Sequence, residues 1–392
     1  MSGLITINQE IRDILLEQGA DDVIKCYQCG RCMAACPWNL LRQLNYPVFQ
    51  FPEAVKLGTI SSSEKKEDIA RETEDIFRCI GCDSCRYECP RGVNISDVLR
   101  AARRIFVDSG SYPGDLKSFV ARIHSTGNPL GEPALKRIEW TSGLGVPKFD
   151  GQHEYLYFPC CLPSYDPRVK KVAQATAEVL KSAGVRFGII GEEEFCCGEA
   201  VRRAGAEKVF QAAIKKNSET FAKMKPKNIV STSPHCHTVF RNEYARYCKD
   251  SAFIHITQVF KQIIEEKKIV PRKEFKKKIV YHDPCTLGRQ TGVYEEPRKV
   301  LSSIPGVELT EVPMFNRKYS VCCGGGAMGL WREWSHDERL ATVRLNQLMK
   351  TGAEVIAVAC PYCLQMFEET LKSMGKEIPV MDIAEILYAS IG

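Results

Sequence analysis

Two stretches of this chain repeat one cysteine spacing, C-x2-C-x2-C-x3-C-P. The first is Cys26, Cys29, Cys32 and Cys36 with Pro37; the second is Cys79, Cys82, Cys85 and Cys89 with Pro90. Eight thiols at fixed spacing must converge on something, and that requirement constrains the fold more than any other feature. A disulfide framework would need an oxidising compartment. The first residues, with their amphipathic SGLITINQEIRDILL, resemble neither a signal peptide nor a twin-arginine leader. Zinc takes four ligands, commonly as two separated pairs, not two triplets each followed by a fourth cysteine.

The spacing is similar to that of bacterial two-cluster ferredoxins, in which each triplet wraps one [4Fe–4S] cubane and the fourth cysteine reaches the other cluster. That resemblance implies one cubane on Cys26, Cys29, Cys32 and Cys89, and a second on Cys79, Cys82, Cys85 and Cys36.

At 392 residues the chain can bury two or three cores, and its 44% hydrophobic and 26% charged residues are those of a globular protein. No stretch approaches the about 20 apolar residues of a membrane span, so a cytoplasmic location is expected. The formal charge of +6 counts every thiol as neutral. Cluster-bound thiolates would lower it, and no nucleic-acid binding is read from it. The dense basic run at residues 261–278 reads as a solvated connector, with an acidic redox partner as its sharper reading.

Residues 1–110 form the expected ferredoxin-like part, with helical flanks. Ile7, Ile11, Ile14 and Leu15 share helical spacing, Ser96-Asp97 can cap a helix from Val98, and residues 50–77 read as helix, polar turn, helix. Residues 111–150 are rich in glycine and proline and read as a linker packed over a neighbour. The remainder repeats itself, as residues 151–270 and 271–392. Cys161 and Cys285 lie 124 residues apart, the Cys196-Cys197-Gly198 and Cys322-Cys323-Gly324 groups 126, and Cys236 and Cys363 127. Each copy alternates strands and helices with cysteines at strand ends. The expected fold is therefore a mostly helical two-cluster domain followed by two α/β domains, with ligands outside the carboxyl ends of the strands.

Five cysteines converge in the second copy: Cys285, Cys322, Cys323, Cys360 and Cys363. Adjacent cysteines point in different directions, so Cys322 and Cys323 suit two irons of a larger cluster better than one ion. Gly324, Gly325 and Gly326 let backbone approach closely and offer amide N–H groups to sulfur. In the first copy Cys161, Cys196, Cys197 and Cys236 recur, but Ser233 stands where Cys360 would be, and an extra Cys160 adjoins Cys161. Either Cys160 supplies a fifth thiolate, or the site binds with four, or it is degenerate.

The pattern C…CCG…CxxC, twice, behind two ferredoxin runs resembles the CCG-domain iron–sulfur oxidoreductases. It closely resembles the D-type subunit of heterodisulfide reductase, a fusion of C-like and B-like subunits. The resemblance implies a noncubane [4Fe–4S] cluster on the five second-copy cysteines and a further [4Fe–4S] cluster in the first copy, on Cys161, Cys196, Cys197 and Cys236 with Cys160 as candidate. Similar proteins include the iron–sulfur subunits of glycolate and lactate oxidation systems and the electron-transfer subunit of class II benzoyl-coenzyme A reductase complexes. The implied function is an iron–sulfur oxidoreductase subunit that takes electrons from a flavin-containing or other iron–sulfur partner subunit. Reduction of a disulfide substrate at the noncubane cluster is the alternative.

Three further signals carry less. Gly324-x-Gly326-x-x-Gly329 has the dinucleotide spacing, but the strand after it ends in Cys360 rather than an acid, so no nicotinamide site is expected. Cys248 reads as a packed helix cysteine. His282 is a candidate proton donor to the second site, while His235 and His237 flank Cys236; fixation in a turn by backbone hydrogen bonds is the competing reading for all three.

Overall fold

The computed structural model describes residues 7–41, 45–60 and 66–391. The N-terminal part is helical. Asn8 caps the helix Gln9–Leu15 by accepting from Ile11 N at 3.1 Å. Helices Gln50–Leu57 and Lys66–Arg78 follow, and the polar turn expected between them, at residues 61–65, lies outside the described residues. The next long helix runs Ile95–Asp108 and is capped by Asn94 rather than by Ser96-Asp97. Ser96 is committed elsewhere: its hydroxyl donates to the buried Asp83 at 2.5 Å.

Between residues 111 and 150 the breakers conceal a helix, Gly114–Thr126. Leu116, Phe119, Val120 and Ile123 bury one face at helical spacing, and Phe119 stacks on Trp331 at 5.3 Å. Pro113 precedes this helix and Gly127, at φ +73°, ends it. A 3-10 segment, Ala134–Thr141, buries Arg137 and Trp140.

Two four-stranded parallel sheets follow. The first contains β1 Tyr155–Phe158, β2 Phe187–Gly188, β3 Asn228–Ser231 and β4 Ala252–His255, in the order β2-β1-β3-β4. The second contains β5 Lys277–Tyr281, β6 Val307–Thr310, β7 Val355–Val358 and β8 Val380–Asp382, in the order β6-β5-β7-β8. The topologies are identical. Registers match too: Tyr157 pairs with Val230 as Tyr281 pairs with Ala357, each between the two central strands. Those strands are covered on both faces, and β1 and β7 are buried at every residue, as parallel strands require. In each sheet the chain leaves the first strand toward one edge and returns on the other side. The switch point, where such sheets hold ligands, therefore lies between β1 and β3 and between β5 and β7. Helices start there at Cys161, Pro234, Cys285 and Pro361, the two prolines in the first turn.

The helical part is keyed to both sheets. Buried Arg103 donates to Ile76 O at 2.8 Å and to Arg203 O at 2.9 Å. Gln290 donates to Gly81 O at 2.9 Å, Arg332 pairs with Glu74 at 2.9 Å, and Trp38 meets Trp334 at 4.9 Å. No helix among the described residues is long and apolar enough to cross a membrane.

Candidate metal centres

All 19 cysteines are free of disulfides. The two ferredoxin-type runs fold alike. Gln28 and Gly30 in the first, and Gly81 and Asp83 in the second, take φ between +59° and +75°. These left-handed residues curl each run around its thiols before the short helices Arg31–Ala35 and Ser84–Glu88. Amides turn inward as a result: Gly81 N donates to Cys79 Sγ at 3.5 Å and Val93 N to Cys89 Sγ at 3.4 Å.

Chain crossing brings the fourth cysteine of each run to the other's triplet. Cys32 sits in the field of Cys26, Cys29 and Cys89, and burial with that crowding pushes its thiol up to about 11. Cys36 lies with Cys79, Cys82 and Cys85 around a hollow that Trp38, Ile95 and Leu99 also line. Burial drives Cys36 and Cys85 well up, the neighbouring Cys82 adding to the effect. The two sets differ in depth. Cys29 is exposed and its three companions half-buried, whereas Cys36, Cys82 and Cys85 are buried.

In the second repeat the five cysteines form a continuous set. Cys285 Sγ lies 3.5 Å from Cys322 Sγ, and Cys363 Sγ lies 3.3 Å from Cys323 Sγ. Cys322 reaches Cys323, and Cys363 reaches Cys360. Gly324 takes φ +92° and points its N–H at Cys322 Sγ, 3.4 Å away, which a side chain at that φ would resist. The His282 ring nitrogen and the Cys323 and Cys363 sulfurs lie within 4.8 Å of one another. Arg344 Nε donates to His282 Nδ1 at 3.1 Å, which leaves the ring proton on Nε2. Burial holds His282 below the usual imidazole range, so it faces the thiols as a neutral ring.

The first repeat reproduces the set with one exchange. Cys161 reaches Cys196, Cys196 reaches Cys197, Cys197 reaches Cys236, and Cys236 reaches Cys160. Cys160 therefore joins the set, at φ +85°, a backbone conformation that L-residues avoid. Ser233 is fully buried at the mouth of the loop, and its hydroxyl has no hydrogen-bond partner among the described residues. Gly198, at φ +80°, points its N–H at Cys196 Sγ, 3.5 Å away.

The two repeats meet face to face. His235 and Tyr362 occupy the same place in Ser233-Pro-His-Cys236 and Cys360-Pro-Tyr-Cys363, and their rings stack at 4.3 Å. His235 is held by Glu199 at 3.1 Å and reaches Cys360. Although burial opposes it, Cys360 is brought down to about 6 by hydrogen bonds from Cys363 and His235. The second site also touches the ferredoxin part. The neighbouring Cys322 thiol, with the Arg289 charge, brings Cys82 down to about 7 although burial opposes it.

Sequence reasoning missed four of these residues. Arg137 lies in the expected linker, yet its guanidinium stands 3.7 Å from Cys161 Sγ and pairs with buried Glu194 at 2.7 Å. Nothing in its local sequence marks it. Arg344 and Glu199 are likewise unmarked. Arg289 was findable: it follows Cys285 by four residues in one helix, hence on the same face. The Gly324–Gly329 run explains itself differently from a dinucleotide loop. A Cβ on Gly326 would stand 2.6 Å from Ile80 O of the ferredoxin part. Cys248, expected in a helix, follows the turn after Phe240–Tyr244 and is half-buried.

Five buried, unbridged thiols with inward amides exceed the four ligands of a tetrahedral ion and suit an iron–sulfur cluster. The comparisons agree. Residues 155–241 and 279–368 match the CCG cysteine-rich domain, and residues 22–93 match the 4Fe-4S dicluster domain. The EtfAB:quinone oxidoreductase of Syntrophomonas wolfei is 29% identical over 94% of this chain, which spans 58% of that relative's length. The D-type subunit of the dihydromethanophenazine:CoB–CoM heterodisulfide reductase of Methanosarcina barkeri is 30% identical over 94% of this chain and 93% of its own length. A crystal structure of a hypothetical protein from Helicobacter pylori covers 97% of this chain and 76% of its own, with a TM-score of 0.58 at 10% identity, and shows the shared fold. On these grounds the chain belongs to the family of CCG-domain iron–sulfur oxidoreductases that includes the D-type subunits of heterodisulfide reductase.

Proposed function

We propose that this chain is an electron-transfer subunit of a multi-subunit redox complex. Two cubanes would be held by Cys26, Cys29, Cys32 and Cys89, and by Cys79, Cys82, Cys85 and Cys36. A noncubane cluster would be held by Cys285, Cys322, Cys323, Cys360 and Cys363, and a fourth cluster by Cys160, Cys161, Cys196, Cys197 and Cys236. When bound, such clusters supply one-electron redox chemistry. The protein's residues align and insulate them. Exposed Cys29 marks the face for a flavin-containing or iron–sulfur donor, and buried Cys36, Cys82 and Cys85 lie inward of it.

The observation that supports this reading best is the hydrogen bond from Arg289 Nε to Cys82 O at 2.6 Å, made from the helix that begins at Cys285. It ties the backbone of the inner ferredoxin set to the helix that carries Cys285 of the second CCG set. The relay reading is favoured over disulfide cleavage by the His235–Tyr362 stack, which occupies the interval between the two CCG sets. Gly198 and Gly324 amides, Arg137, and His282 held by Arg344 provide fixed donors around the sulfurs.

Anaerobically purified protein should carry three to four [4Fe–4S] clusters, about 12 to 16 irons per chain. Iron analysis with Mössbauer spectroscopy reads this directly. Eight irons in fully loaded, undegraded protein would leave the CCG sets without clusters and end the proposal.

A further inference from the structure

Arg289 stands where the ferredoxin part meets the second CCG set. It lies in the helix Cys285–Thr291, one turn after Cys285, and is 4% exposed. Three of its hydrogen bonds are spent on carbonyls. Nε donates to Cys82 O at 2.6 Å; Nη1 donates to Lys318 O at 3.0 Å and to Ser320 O at 2.6 Å. One guanidinium therefore ties the backbone of a ferredoxin cysteine to the loop that delivers Cys322 and Cys323. Nη2 is buried and has no hydrogen-bond partner among the described residues. A buried donor left unpaired is destabilising, so a partner is called for. The charges acting on the guanidinium name the candidates: Cys82 from one set, Cys285 and Cys322 from the other, and Asp83. Asp83, whose Oδ1 accepts from Ser96, makes no hydrogen bond to Nη2.

The position has no counterpart in the first repeat. Tyr165 takes the corresponding place after Cys161, and Arg137 comes from outside the repeat to lie over its ring at 5.0 Å. Arg289 thus belongs to the junction with the ferredoxin part, not to the CCG fold.

We infer that Arg289 is a positioning residue shared by two clusters, with Nη2 donating to sulfur at the junction and its charge raising the reduction potentials of both the cubane of Cys36, Cys79, Cys82 and Cys85 and the second CCG cluster. The inference rests on the proposed cluster occupancy. Its electrostatic sense is simple: a buried cation favours the more negative, reduced form of each cluster, so its removal makes both harder to reduce.

The test uses the anaerobic holoprotein. Arg289→Gln should keep its iron and lower the potentials of these two clusters in an EPR-monitored redox titration. A tenfold fall in the reduction equilibrium, about 59 mV for one electron, is the expected size. The cubane of Cys26, Cys29, Cys32 and Cys89 should not move, and Arg289→Lys should restore most of the shift. Unchanged potentials, or an equal shift of all clusters, would overturn the inference. Should Arg289→Gln fail to assemble, wild-type protein labelled with ¹⁵N-arginine carries the test. Pulsed EPR should then show an arginine nitrogen coupled to both reduced clusters, and its absence from both overturns the inference. A protein with only eight irons would instead refute the occupancy, which iron analysis registers separately.

Discussion

The two CCG repeats share strand order, register, and the glycine that follows the paired cysteines, yet they differ at several positions around their cysteines. Cys360 in the second is Ser233 in the first, and Cys160 in the first is Pro284 in the second. The cation near the first cysteine is Arg289 from within the second repeat, but Arg137 from the preceding segment in the first. After the paired cysteines the second repeat runs Gly324-Gly325-Gly326 and the first Gly198-Glu199-Ala200. Only the first of these three positions takes a left-handed φ in both copies, so only that glycine belongs to the cysteine loop itself. Gly326 instead serves what docks there, the ferredoxin part at Ile80 O, whereas a Cβ at Gly325 would meet Met366 and Tyr362 of its own repeat; in the first repeat the matching Glu199 holds His235. Duplication kept five thiols per site and let their surroundings diverge.

The largest expected effect tests whether the sites are separate. Cys323→Ala removes a thiol bridged only within the second set. It should cost about four irons and the second-site EPR signal, while the first-site signal survives. Cys197→Ala should do the reverse. If either variant empties both sites, the repeats form one cooperative centre and the contrast between them collapses.

A finer test concerns the exchanged ligand. Cys160 holds φ +85°, which costs an L-residue about 1–3 kcal/mol and persists only where the surroundings enforce it. Cys160→Gly should relieve that strain and raise thermal stability of the metal-free protein, yet lose the first-site cluster. Adding Ser233→Cys in the same chain restores five thiols in the arrangement of the second repeat and should recover the iron. Full iron in Cys160→Gly alone would mean that Cys161, Cys196, Cys197 and Cys236 suffice.

Much of this was legible in the sequence because cysteine spacing is a local code. The paired ferredoxin runs, the repeat, and strands such as Asn228–Ser231 and Val355–Val358 could be read directly, since ligand loops and buried parallel strands write themselves into consecutive residues. Contacts made across the chain left no such trace. The pairing of His235 with Cys360 and of Cys82 with Cys322 joins residues more than 100 positions apart. Arg137 was hidden for another reason. Its segment carries Pro129, Gly131, Pro133 and Gly143, whose density masks both the 3-10 turn that aims the guanidinium and the apolar stripe of the preceding helix.

The smallest expected effect distinguishes a docking glycine from a cluster glycine. A Cβ at Gly326 would meet Ile80 O at 2.6 Å, closer than such atoms approach, and the obstacle is backbone rather than a flexible side chain. Ile80 lies between Cys79 and Cys82, so relief of the clash shifts the inner ferredoxin loop and the loop after Cys322-Cys323 relative to one another. Gly326→Ala should cost about 1–3 kcal/mol of stability, as overpacking does. Its iron content should stay normal, while electron transfer between the inner cubane and the second CCG cluster slows, as rapid-mixing EPR would show. The corresponding residue of the first repeat is already Ala200, a buried position, so Ala200→Gly should leave that transfer unchanged. Loss of iron in Gly326→Ala with transfer in the remaining holoprotein unaltered would instead place Gly326 in the cluster loop itself, and the difference between the repeats would then lie in their ligands rather than in what docks on them.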